Sequence, residues 1–200
     1  MPSAGPSAAN PVAQVQHPAV LPVPRRTNTR KPSGLAGYTT RVRIGAIMGR
    51  VTTWRDVEQA EPEFARRVRA LFDAHRHKTI ATMRADGSPR ISGIETVFED
   101  GELVFGSMPN ARKGADLRRD PRFALHSATV DPVEGSEAQW PGEAKISGRA
   151  IAAGPVTGPD GDRFHADIAE VVHTHLDEQA TMLVVEWWTP KQGLRKVERE

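Results

Sequence analysis

A hydroxyl and two cations fall within a short run, Phe105-Gly106-Ser107-Met108-Pro109-Asn110-Ala111-Arg112-Lys113. The residues up to Ser107 read as a strand, and residues 111–120 as a short basic helix stopped by Pro121, which has no amide proton to donate. Arg112 and Lys113 therefore sit in the first turn of a helix. Cations there oppose the positive end of the helix dipole, and a bound anion reverses that balance. A phosphate suits the place: Arg can grip it with paired hydrogen bonds, Lys adds a point charge and Ser107 a neutral donor. The same pattern, continued by Arg118 and Arg119, also describes a solvated basic helix face.

Other chemistries have weaker footing. Gly93 and Gly106 interrupt predicted strands, which suits either the close approach of a flat ligand or backbone, or a bulge at a barrel corner. Of the seven histidines, His75 and His77 are two residues apart, as are His173 and His175. If both pairs lie on helices, their side chains diverge by about 200° and share no metal. His126 stands alone in a predicted strand, so no metal site is expected. The chain has no cysteine, which excludes disulfides, cysteine-ligated zinc and cysteine nucleophiles. It shows no Gly-rich phosphate loop, serine elbow or paired-carboxylate signature. Asp160-Gly161-Asp162 is too short for a calcium loop.

The elements that position these residues follow from periodicity. Pro62 opens a predicted helix with Phe64, Val68, Leu71 and Phe72 on one stripe. Residues 78–84, 89–98 and 102–107 read as strands joined by the turns Ala85-Asp86-Gly87-Ser88 and Glu99-Asp100-Gly101, giving two consecutive hairpins. Further strands are expected at 122–129, 143–152 and 181–188. Phe164, Ile168, Val171 and Val172 predict a second helix over 162–176. Five or six antiparallel strands with peripheral helices are most economically packed as a closed or nearly closed barrel, which hides the sheet edges.

Charge is distributed unevenly along the 200 residues. Residues 1–55 carry eight basic groups and no carboxylate, whereas residues 56–200 carry a net charge of −6. That acidic body argues against nucleic acid as a partner. Seven of the sixteen prolines lie in residues 1–32, so residues 1–52 read as a disordered basic tail, with Met48 as an alternative start of the native protein. The Arg25-Arg26 pair lacks the apolar run of an export signal. No apolar stretch approaches the ~20 residues of a membrane span, and a soluble, cytoplasmic protein is expected.

The segment ATMRADGSPRISGIETVFEDGELVFGSMPNARKGADLRRDPRFAL, residues 81–125, resembles the pyridoxamine 5′-phosphate oxidase-like family of flavin- or deazaflavin-binding split barrels. Its most specific part is Arg112-Lys113-Gly114-Ala115-Asp116-Leu117-Arg118-Arg119-Asp120-Pro121, and the resemblance extends over residues 54–200. It implies an FMN-binding split barrel over residues 53–200, a homodimer with cofactor at the interface, and hydride transfer to or from a small organic molecule. The deazaflavin coenzyme F-420 is the alternative cofactor, disfavoured by the −6 body because its polyglutamate tail is anionic. A non-catalytic flavin binder, or a haem binder using His126 or a helix histidine, is the alternative from another class.

The resemblance also implies site residues. Arg90, Ile91 and Ser92 would approach the flavin phosphate from the strand before Glu95, joining Phe105, Gly106, Ser107, Arg112 and Lys113. Trp188 and Arg195 would reach the flavin of the partner subunit. Glu95 stands where the true oxidases place a substrate-phosphate lysine, so pyridoxamine phosphate is an improbable substrate. The flavin carries the chemistry itself, and no catalytic residue is identified.

Overall fold

The computed structural model describes residues 50–153 and 161–200. The proline-rich segment, Met48 and most of the expected tail lie outside the described residues. Two helices open the described chain, α1 (Trp54–Ala60) and α2 (Pro62–Asp73). Thr53 and Asp56 form a capping box at the start of α1, and Pro62 occupies the first turn of α2. There its missing amide proton costs nothing. Phe64, Val68 and Phe72 of α2 are buried against the sheet, as are Trp54 and Val57 of α1. Burying such a side chain stabilises by about 1.5–3 kcal/mol.

Nine strands follow: β1 (Lys78–Met83), β2 (Pro89–Ile94), β3 (Thr96–Glu99), β4 (Glu102–Ser107), β5 (Arg122–His126), β6 (Glu143–Ala152), β7 (Asp162–Leu176), β8 (Leu183–Thr189) and β9 (Gly193–Arg199). A third helix, α3 (Arg112–Arg119), links β4 to β5. All pairings are antiparallel, in the order β2-β1-β5-β6-β7-β4-β3, with β8 on β7 and β9 on β8. Phe98, Leu103, Phe105, Phe123, Leu125, Ile146, Phe164, Ile168 and Trp188 fill one continuous core with the two opening helices. No helix among the described residues is long and apolar enough to cross a membrane.

The helix expected over 162–176 is a 15-residue strand. Phe164, Ala166 and Ile168 alternate inward as a strand requires. Ser147 then faces Glu170 while Gly148 faces Ile168, so Ala169 is an extra residue in β7. This bulge moves the next inward position to Val171, and the resulting spacing of 164, 168 and 171 imitates a helix. His173 and His175 consequently lie on one face of a strand, so the premise that excluded their sharing a metal does not hold. His75 and His77 lie beyond the end of α2, not on it.

Three further expectations need correction. The strand expected at 89–98 is two strands broken at Glu95, and the strand expected at 122–129 ends at His126. The final strand, β9, was not expected at all, because Leu194-Arg195-Lys196-Val197-Glu198-Arg199 is mostly exposed and shows little apolar alternation.

Candidate functional site

A cavity of about 590 Å³ opens beside the β2–β3 break, the end of β4 and the start of α3. That volume suits a drug-sized or cofactor-sized ligand. Phe105, Gly106, Ser107 and Lys113 line it, together with Glu95, Met108 and Asp162. Four of the ten residues expected to bind cofactor are thus brought together.

Lys113 Nζ donates to the Gly93 carbonyl at 2.5 Å, tying the first turn of α3 to the last residues of β2. Burial lowers its pKa, and the nearby Glu95 carboxylate opposes that shift without reversing it. An ammonium has three donors, and no described carboxylate bonds this one. The other charges of the wall are matched: Arg76 pairs with Glu95 at 3.0 Å, Arg163 with Glu99, and Arg118 with Asp162. Lys113 is therefore the one unmatched charge among the described wall residues, and an anion would satisfy it.

Ser107 is less free than expected. Its hydroxyl donates to Asp162 Oδ2 at 3.0 Å, and Arg118 holds the other oxygen of that buried carboxylate. Through Asp162, Arg118 supports the cavity wall. Gly114 makes this packing possible, because a Cβ there would stand 2.0 Å from Asp162 Oδ2 and 2.5 Å from Ser107 Oγ. Gly106 serves a similar purpose: a Cβ would meet the Asp162 carbonyl at 2.9 Å on the paired strand. Gly93 has open space around the corresponding position.

Arg90 does not face the cavity. Its Nε donates to Asp116 Oδ2 at 2.6 Å, and Thr82 and Arg119 donate to the same carboxylate at 3.1 and 3.0 Å. Burial pushes the Asp116 pKa up, but these three donors outweigh it and the net shift is downward. Arg90 thus anchors α3 to the sheet and positions Lys113 indirectly. Ile91 is exposed on the outer face of β2, and Ser92 and Arg112 also lie off the cavity wall.

Trp188 is only 4% exposed in the core, packed opposite Val171 and Leu194. It cannot reach across an interface without emptying that core. The half-buried Trp187 points to the opposite face, beside the exposed Arg195. Sequence reasoning missed Asp116, Asp162 and Gly114. The spacing of Gly114 and Leu117 signalled a buried helix face, but Asp162 was hidden by the mistaken helix.

A family profile described as pyridoxamine 5′-phosphate oxidase matches residues 64–190. The chain belongs to that family, in its broad split-barrel sense. No curated protein matches the sequence. Among solved structures, PhzG from Burkholderia lata 383, in complex with tetrahydrophenazine-1-carboxylic acid, is 11% identical, with a TM-score of 0.51 over 70% of this chain and 93% of that one. A pyridoxamine 5′-phosphate oxidase-related, FMN-binding protein from Nostoc punctiforme is 12% identical, with a TM-score of 0.48 over 71% and 95%. A haem-binding protein from Mycobacterium smegmatis is 12% identical, with a TM-score of 0.42 over 68% and 87%. At these identities the likeness concerns the fold, and ligands differ among the neighbours.

Proposed function

We propose that this family member is a flavin-dependent oxidoreductase holding FMN in the 590 Å³ cavity, with Lys113 as the phosphate anchor. The observation that carries the reading is the unmatched, partly desolvated ammonium in the wall of a cofactor-sized cavity. FMN, when bound, supplies a ring that accepts or donates a hydride. The chain's own part is to orient it. Lys113 fixes the phosphate end, Ser107 and Asp162 present a polar edge, and Phe105 and Val104 close the apolar side. Arg90 and Asp116 hold α3 in place.

The net charge of −6 over residues 56–200 favours FMN over a coenzyme with a polyglutamate tail. We further propose a cytoplasmic homodimer formed through the outer face of the sheet. Cross-strand partners share a face, and one row runs Gly93, Thr79, His126, Lys145, Val172, Trp187, Arg195 across seven strands. Beside it stands Ile91, 76% exposed. A broad, accessible face on which Ile91, Val172 and Trp187 alternate with polar groups suits a self-complementary contact.

FMN titration into the flavin-free full-length chain tests the proposal. Losing a charge-assisted hydrogen bond costs roughly 1.5–3 kcal/mol, so Lys113→Ala should weaken FMN about 10- to 100-fold. Arg112→Ala, at an exposed position off the cavity wall, should leave affinity nearly unchanged. Equal losses in both variants would mean that general positive charge governs binding. Unchanged affinity for Lys113→Ala would remove the phosphate anchor.

A further inference from the structure

A second cluster of chemistry lies on the part of β7 that reads as helix in the sequence. His173 and His175 share one face there, and Glu186 of β8 is the register partner of His173. His173 Nδ1 and His175 Nε2 each lie 3.4 Å from Glu186 Oε2. One ligand atom from each of the three residues lies within 4.8 Å of the others. Two ligands bonded to one tetrahedral ion at ~2.0–2.1 Å stand about 3.3–3.4 Å apart, which matches both separations.

The hydrogen bonding makes the cluster unusual for a purely structural one. His175 Nδ1 lies 2.8 Å from its neighbour's carbonyl, that of Leu176, which places the ring proton on Nδ1. In the neutral ring, Nε2 then turns a bare lone pair toward a carboxylate oxygen, and two acceptors face each other. A positive charge between them, a proton on Nε2 or a metal ion, resolves that opposition. His173 is 3% exposed, and its Nε2 is buried without a partner. It also lines a separate cavity of about 280 Å³ between α2 and the sheet, with Arg67, Leu71, His75 and Pro141 among the walls.

Arg67 Nη2 donates to Glu186 Oε2 at 2.6 Å from the α2 side, the kind of outer partner that orients a ligating carboxylate. Five titratable or charged groups meet here: His173, His175, Glu186, Arg67 and, across from Glu186 on β9, Lys196.

We propose that His173, His175 and Glu186 bind one divalent ion of the zinc class, with an open coordination position on the side of the 280 Å³ cavity. Two imidazoles and one carboxylate form a borderline donor set suited to zinc rather than to calcium or magnesium. Three protein ligands with one vacant position are the arrangement that lets an ion hold water or a small ligand. The inference is independent of the flavin reading, because no residue of this cluster lines the 590 Å³ cavity.

The test is calorimetric titration of Zn²⁺ into the chelator-treated, untagged full-length chain. The expected result is saturable binding of one equivalent, weakened at least tenfold in His175→Ala and in Glu186→Gln and unchanged in His126→Ala. His126 faces Glu143 on the outer side of the sheet and provides the control. Melting temperature gives a second readout: excess Zn²⁺ should raise it in the wild type and not in His175→Gln, whose half-buried site tolerates substitution. No saturable heat overturns the proposal, as does undiminished affinity in His175→Ala. Loss of binding in His126→Ala with retention in His175→Ala also overturns it, placing the ion elsewhere.

Discussion

Replacing Gly114 by alanine sets two effects of opposite sign against each other. Helix propensity favours alanine by roughly 0.8–1 kcal/mol in a helix interior. The added methyl would stand 2.0 Å from Asp162 Oδ2 and 2.5 Å from Ser107 Oγ, both inside contact distance. Relief requires breaking the 3.0 Å Ser107 bond and loosening the Arg118 pairing, or lifting α3 away from β4. A hydrogen bond to a charged group is worth about 1.5–3 kcal/mol, and overpacking costs a similar ~1–3 kcal/mol. These are alternative routes of relief and do not add. The net expectation is destabilisation by about 1–2 kcal/mol, or a fall in melting temperature of roughly 3 °C per kcal/mol. Urea denaturation should show a lower midpoint at unchanged slope. FMN affinity should fall as well, because the wall carrying Ser107 and Lys113 moves. An unchanged or higher midpoint would show that propensity prevails and that the α3–β4 contact does not constrain the site.

Asp116→Asn should reduce stability at neutral pH and flatten its acid dependence. The native carboxyl lies below its unfolded value of about 3.9, so its contribution is full above that pH and disappears as pH falls through the lower native value. Parallel urea midpoints at pH 3 and pH 6 check this, and an equal deficit at both pH values would contradict it. Gly106→Ala should destabilise, since the new methyl meets backbone at 2.9 Å; a midpoint matching the wild type would refute the close approach. Ile91→Glu should convert a dimer to monomer in sedimentation experiments, because it places a charge on the proposed contact face. A dimer of undiminished strength would move the interface elsewhere.

The parts of the fold most legible in the sequence were those with an uninterrupted period. The α2 stripe of Phe64, Val68 and Phe72 and the ten residues of β6 match their expected spans closely. Legibility failed where one residue shifted the count. Ala169 turned a period of two into an imitation of 3.6, and this hid Asp162 and the face shared by His173 and His175. β9 was missed because its burial pattern carries almost no alternation. In the site, Lys113 was readable from its helix position. The role of Arg90 was not, since the partner that claims it, Asp116, lies 26 residues away on another element. A charge's sequence position says little about which counter-charge satisfies it first.

The bulged β7 also has a consequence for how the chain folds. Its first residues pair with β4, its middle with β6 and its end with β8. The β6 and β8 partners are its neighbours in the chain and pair across short connections, whereas Ser107 meets Asp162 from 55 positions away, and loop closure opposes folding in proportion to the logarithm of loop length. The contact of β7 with β4 should therefore form late, and once all three neighbours are in place the amides of the middle of β7 should open only with the whole barrel. Native-state hydrogen exchange would then show Ala166, Ile168 and Val171, all buried, exchanging at the free energy of global unfolding, while the exposed strand β9 exchanges through smaller local openings.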